Sequence, residues 1–191
     1  MSIAAGFTEH TRVTTEAART LVPLLEQIVQ AVVGCLRADG KVLACGNGGS
    51  ATDAQHFVAE LVGRFKQERR ALPAVALTAD IAVLTALAND YGYERVFARQ
   101  IEALARAGDV LFAFSTSGRS PNVLAAARSA RERGCVVVGC TGAGGGELAA
   151  LSHLWLAAPS DVVARIQEVH TLCLHLICEA VDATIREPPA Q

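Results

Sequence analysis

The sequence is short of charge, of aromatic rings and of paired cysteine motifs. Charged residues fill only 19% of its 191 positions and aromatic residues 5%, with one methionine and one tryptophan. Seventeen basic side chains face nineteen acidic ones, for a formal net charge of −2. That balance provides no basic footprint for a phosphate backbone, so nucleic acid is not an expected partner. No uninterrupted apolar run reaches the ~20 residues that span a bilayer, so no membrane partner is expected either. The opening "MSIAAGFTEHTR" lacks the charged start and apolar stretch of a secretion signal. Six cysteines are present (Cys35, Cys45, Cys135, Cys140, Cys173 and Cys178), but no two are spaced C-x-x-C. The expectation is reduced, buried thiols in a cytoplasmic protein, with no chemistry assigned to them.

What the chain has in plenty is apolar: hydrophobic residues make up 51%, and the mean hydropathy is +0.32. The surplus suits an α/β core together with a buried subunit interface. Residues 8–37 read as a helix, with Leu21, Leu24, Leu25, Ile28, Val32 and Leu36 forming one stripe. Five short β-rich runs follow, "KVLAC", "PAVALT", "DVLFAF", "CVVVGC" and "HLWLAA", alternating with helical stretches near 49–67, 81–105, 120–133, 145–151 and 161–186. Strands apolar on both faces predict a parallel sheet with helices on each side. The expected architecture is one domain over 1–191: a three-layer α/β/α sandwich of about 41–158, with a helix before it and a long helix after it. The "EPPAQ" tail reads as frayed.

In such sheets ligands bind at the carboxyl ends of the strands, and two loops there stand out. In "CGNGGS", Gly46, Gly48 and Gly49 permit a sharp turn, and Ser50 opens a helix whose free N–H groups favour an anion. With Ala51 the stretch also fits a dinucleotide fingerprint. That reading wants an acidic residue about 20 positions on, and the nearest candidate, Asp80, lies 30 residues beyond Ser50. The second loop, "FSTSGRSPN", places the hydroxyls of Ser115, Thr116, Ser117 and Ser120 within six residues, and Pro121 suits the first turn of the next helix. One such loop reads simply as helix caps and turn filling. Two of them, with no Walker lysine, suit a single phosphate monoester such as that of a sugar phosphate.

Chemistry is carried elsewhere. His56 and Glu60 are four apart and share a helix face, as exposed helix pairs often do. In "RIQEVHTLCLH", Gln167, Thr171 and His175 lie on one i, i+4, i+8 ridge, with about 12 Å of rise from first to last. By spacing alone, His170 is the more natural companion of Gln167.

The segments "CGNGGSATDAQHFVAELVGR", "ANDYG", "STSGRS" and "ARIQEVHTLCLH" together resemble the sugar-isomerase (SIS) domain family, and within it the phosphoheptose isomerases. The resemblance runs from about residue 20 to about residue 180. It implies a flavodoxin-like, five-stranded parallel sheet and a homotetramer with its sites between subunits. It implies a zinc ion held by His56, Glu60, Gln167 and His175, so that His175 rather than His170 joins the set. A glutamine ligand is uncommon for zinc, and the absence of cysteine argues against a closed structural site. The implied reaction converts sedoheptulose 7-phosphate to D-glycero-D-manno-heptose 7-phosphate, for lipopolysaccharide or capsule. Glu60 is the expected base and His175 the acid that moves protons on the oxygens. Zinc would lower the basicity of Glu60 and polarise the carbonyl; its role as catalyst or organiser stays open. The resemblance further places Gly48, Gly49, Ser50 and the hydroxyl loop on the phosphate, Asn47, Asp90 and Gln167 by the sugar, and Arg64 nearby as a cation. Residue by residue, Asp90 also reads as part of a helix terminus and Arg64 as a solvated surface side chain. Two departures stand out: Arg119 where relatives often carry asparagine, and Ala164 where some carry an acid before "RIQE". The rival reading is a non-catalytic SIS module that senses a sugar phosphate or binds a protein such as a replication initiator; the presence of Glu60 favours the enzyme.

Overall fold

The computed structural model describes residues 2–185, so the "EPPAQ" tail lies outside the described residues. Five strands, β1 (Val42–Cys45), β2 (Ala74–Ala76), β3 (Val110–Phe114), β4 (Val136–Thr141) and β5 (Leu154–Ala157), form one parallel sheet in the order β2-β1-β3-β4-β5. Val42 pairs with Ala74 on one side and with Val110 on the other. Each expected β-rich run supplied one strand.

The strands alternate their side chains between two cores. Val42, Ala44, Val110, Phe112, Phe114, Val138 and Cys140 face a core shared with α1 (Ile3–Arg37), α2 (Gly49–Val62) and α7 (Val163–Thr184). Leu43, Cys45, Leu111, Ala113 and Val137 face the other, against α4 (Ala98–Leu104), α5 (Pro121–Glu132) and α6 (Gly146–Leu151), with Leu84 and Leu87 of α3 (Ile81–Tyr91) packed at its edge. These are the outer layers of the expected sandwich. All six cysteines are free and buried, and burial pushes the Cys45, Cys173 and Cys178 thiols up to about 12. Thiols so placed stay protonated at neutral pH and fill space.

Three boundaries differ from expectation by more than two residues. The first helix begins at Ile3 rather than residue 8, because the Ser2 side chain accepts the Ala5 N–H (3.2 Å) and caps a turn earlier. It is long and apolar enough to cross a membrane by length and composition, yet it buries Val13, Ala17, Leu21, Ile28 and Val32 against the fold. The stretch 81–105 is two helices, since Gly92 turns the chain at φ +80° and a 3-10 turn, Tyr93–Arg95, intervenes. The second helix stops at Val62, five residues short of the expected end.

Candidate active site

The strand order reverses between β1 and β3, so the loops after these strands diverge around a crevice at the carboxyl edge of the sheet. After β1, Gly48 takes φ +57° at the entry to α2, a conformation that favours glycine. At Gly49 the demand is for space: a Cβ there would lie 2.5 Å from Gln167 Nε2. The side chain of Gln167 on α7 therefore sits directly over the amino end of α2. Ser50 is buried at the start of that helix.

After β3, the Ser115 and Ser120 hydroxyls are 2.9 Å apart, and Ser115 Oγ also accepts the Ser120 N–H (3.4 Å). Ser117 Oγ accepts the Arg119 N–H (3.2 Å), while Thr116 is half-buried beside it. Thr116, Ser117 and Arg119 line a cavity of about 250 Å³ that also takes in Asp161. The two loops are tied together by a reciprocal amide pair. Asn47 Nδ2 donates to Asn122 Oδ1 (2.9 Å), Asn122 Nδ2 donates to Asn47 Oδ1 (2.8 Å), and the Tyr93 hydroxyl donates a second bond to that Asn47 oxygen (3.0 Å). Asn122 and Tyr93 were not read as site residues. Asn122 directly follows the helix-opening Pro121, and nothing local points to a partner 75 residues away.

A second group of side chains is brought together by α2 and α7. His56 Nε2 lies 3.1 Å from Glu60 Oε1 and 3.4 Å from His175 Nε2. The ligating atoms of the three side chains all fall within 4.8 Å of one another. Tetrahedral zinc with bonds near 2.0–2.1 Å spaces its donors by about 3.3 Å, close to the two separations from His56, so the donor set suits one ion. Phe65 stacks on the His175 ring (centroids 5.4 Å, planes 19° apart) and fixes its plane. Behind the cluster, Thr171 Oγ1 donates to Asp53 Oδ1 (2.8 Å), joining α7 to α2. Asp53 is buried, its other oxygen has no hydrogen-bond partner among the described residues, and burial pushes its carboxyl up against the opposing pull of Thr171 and His56. Sequence reasoning missed Asp53 and Phe65.

The alternative left open on α7 is decided by burial. His170 is 1% exposed, its Nε2 donates to the Thr141 carbonyl (3.1 Å), and burial pushes its pKa down to about 4. It is a neutral core residue, and His175 is the histidine that meets His56. Asp90 and Arg64 have their bonding partners outside the three-residue cluster. Asp90 is exposed near the end of α3 and accepts from the Asn89 amide (2.8 Å); Arg64 is exposed beyond α2 and pairs with Glu68 (3.5 Å). Arg165 ties the start of α7 to α1, donating to the Gly6 carbonyl and to Glu168 (2.6 Å each).

Comparison with known proteins identifies the family. Residues 7–142 match the SIS domain. A phosphoheptose isomerase from Roseiflexus sp. (strain RS-1) is 55% identical over 168 residues, spanning 88% of this chain and 85% of its own. Two solved structures superpose on the fold: phosphoheptose isomerase GmhA from Neisseria gonorrhoeae (TM-score 0.89, 47% identity) and a phosphoheptose isomerase from Francisella tularensis (TM-score 0.92, 41% identity). Each covers 95% of this chain, and 97% and 96% of their own chains are matched. The chain belongs to the SIS-domain family, in its phosphoheptose isomerase branch.

Proposed function

We propose that the protein is a ketose–aldose isomerase that converts sedoheptulose 7-phosphate to D-glycero-D-manno-heptose 7-phosphate through an enediol. The observation that carries the reading is the convergence of Glu60, His56 and His175 from α2 and α7, α2 being the helix whose amino end follows the β1 glycine loop. The phosphate rests on Ser115, Thr116, Ser117, Ser120 and the amino end of α2, while Asn47 and Gln167 meet the sugar. Glu60 takes the proton from C1, and a C1=C2 double bond forms as the ketone oxygen gains a proton from His175. The O1 proton then leaves to His175 as the C1 carbonyl forms, and Glu60 returns its proton to C2. Atoms and charges balance, and each group ends as it began.

His56, Glu60 and His175, with Gln167 as fourth donor, would hold a zinc ion, which when bound supplies Lewis-acid polarisation of the carbonyl. Ile3 and Phe7 on α1 and Leu172 and Leu176 on α7 are exposed, which supports a homotetramer in which neighbouring copies cover them. The activity would serve heptose synthesis for lipopolysaccharide or capsule in the cytoplasm.

The test is incubation of the zinc-supplied protein with sedoheptulose 7-phosphate, with products resolved by NMR. Appearance of the aldose 7-phosphate upholds the reading. Saturable binding without turnover would replace it with the non-catalytic module.

A further inference from the structure

Glu60 sits in the last turn of α2, where a helix has no partners for its final carbonyls and frays first. That turn contains no basic residue, and Gly63 follows it at φ −77°, outside the left-handed conformation that usually closes a helix. The closing groups come from a side chain further along. Arg69 Nη2 donates to the Glu60 carbonyl (2.8 Å), and Nη1 donates to those of Leu61 (2.9 Å), Gly63 (3.3 Å) and Arg70 (3.0 Å). Its Nε donates to Asp182 Oδ1 on α7 (2.6 Å), and both side chains are 1% exposed. Asp182 Oδ2 in turn accepts the N–H groups of Lys66 and Gln67 (3.0 and 3.3 Å), which shapes the loop that returns Arg69 to the helix end. Burial pushes the Asp182 carboxyl up, but Arg69 and the two amides outweigh it and hold the pKa below the ordinary carboxylate value.

A buried ion pair is an expensive way to stabilise a fold, and apolar packing often does as well. What this pair does that apolar packing cannot is hold the main chain of Glu60 against α7, the helix that carries His175. We propose that Arg69, aimed by Asp182, is a positioning residue for the isomerisation: it fixes the Glu60 carboxylate at the distance from His56 and His175 that proton transfer requires. This inference rests on the isomerase reading above.

The test is Arg69→Lys, assayed on sedoheptulose 7-phosphate well below its thermal midpoint beside the wild type. Lysine keeps the charge opposite Asp182 but cannot fork onto the carbonyls of Glu60, Leu61 and Gly63. The expected result is kcat lower by about 10–100-fold with KM within about twofold, since a misplacement near 1 Å costs on that order. A second variant, Arg69→Met/Asp182→Leu, removes both charges and also the partners of the main-chain groups they bind; it should melt below the wild type yet, assayed well below its own midpoint, show the same kcat deficit. Wild-type kcat per folded molecule in either variant overturns the proposal, as does failure of both to fold, which would make the pair a folding element. Absence of turnover in the wild type would instead overturn the isomerase reading, and this one with it.

Discussion

Two histidines five residues apart on α7 lead opposite lives. Five residues turn a helix through about 140°, enough to send one side chain into the core and the other toward α2. His170 is enclosed, neutral and bonded to the Thr141 carbonyl, so it serves the fold. His175 is half-buried, stacked on Phe65 and 3.4 Å from His56, so it serves the site. The lesson is that residue type and spacing mark a candidate, while the neighbouring helix decides which candidate is used. Here α2 selects His175, and the Thr171–Asp53 and Arg69–Asp182 bonds hold the two helices at that register.

Substitutions at the two positions should break apart cleanly. His175→Ala is expected to lower kcat by about 10²–10⁴-fold, the usual share of a general acid–base group, with a change in stability under about 1 kcal/mol. Zinc content by mass spectrometry should fall alongside. Wild-type turnover in this variant would move the proton-transfer role elsewhere.

His170 should show itself in stability alone. Its folded pKa of about 4 lies below the ordinary 6.5, so the unfolded chain binds the proton more readily. The stabilisation from keeping it neutral is complete above pH 6.5 and is lost as pH falls from 6.5 toward 4. Between pH 7 and pH 5 the loss is about 2 kcal/mol. Denaturant unfolding at the two pH values should show this loss in the wild type and its absence in His170→Gln, with kcat at pH 7 unchanged. Equal slopes in the two proteins would contradict the burial argument.

The contrast also explains what could be read beforehand. The five strands, the layer order and the two loops were legible because apolar alternation with helical stretches and glycine-serine punctuation are local signals. The His56–Glu60 pair was legible for the same reason, since four residues bring two side chains together on any helix. Asn122, Tyr93, Asp53 and Arg69 were not, because each acquires its partner only when distant segments meet: Asn47 with Asn122 over 75 residues, Arg69 with Asp182 over 113. The break at Gly92 was missed because an apolar helical pattern continues on both sides of it, through Leu87 and Ala88 and again through Val96 and Phe97.

The central claim is that Glu60 carries the proton between C1 and C2. It is tested most directly by incubating sedoheptulose 7-phosphate in heavy water with the wild type and with Glu60→Gln. Deuterium at C1 and in the product is followed by NMR, and substrate binding is measured by calorimetry. The account predicts isomerisation with deuterium uptake by the wild type, and a variant that binds the sugar phosphate but neither exchanges nor isomerises it. A Glu60→Gln variant that exchanges C1 at the wild-type rate would contradict the assignment and place the base at another residue.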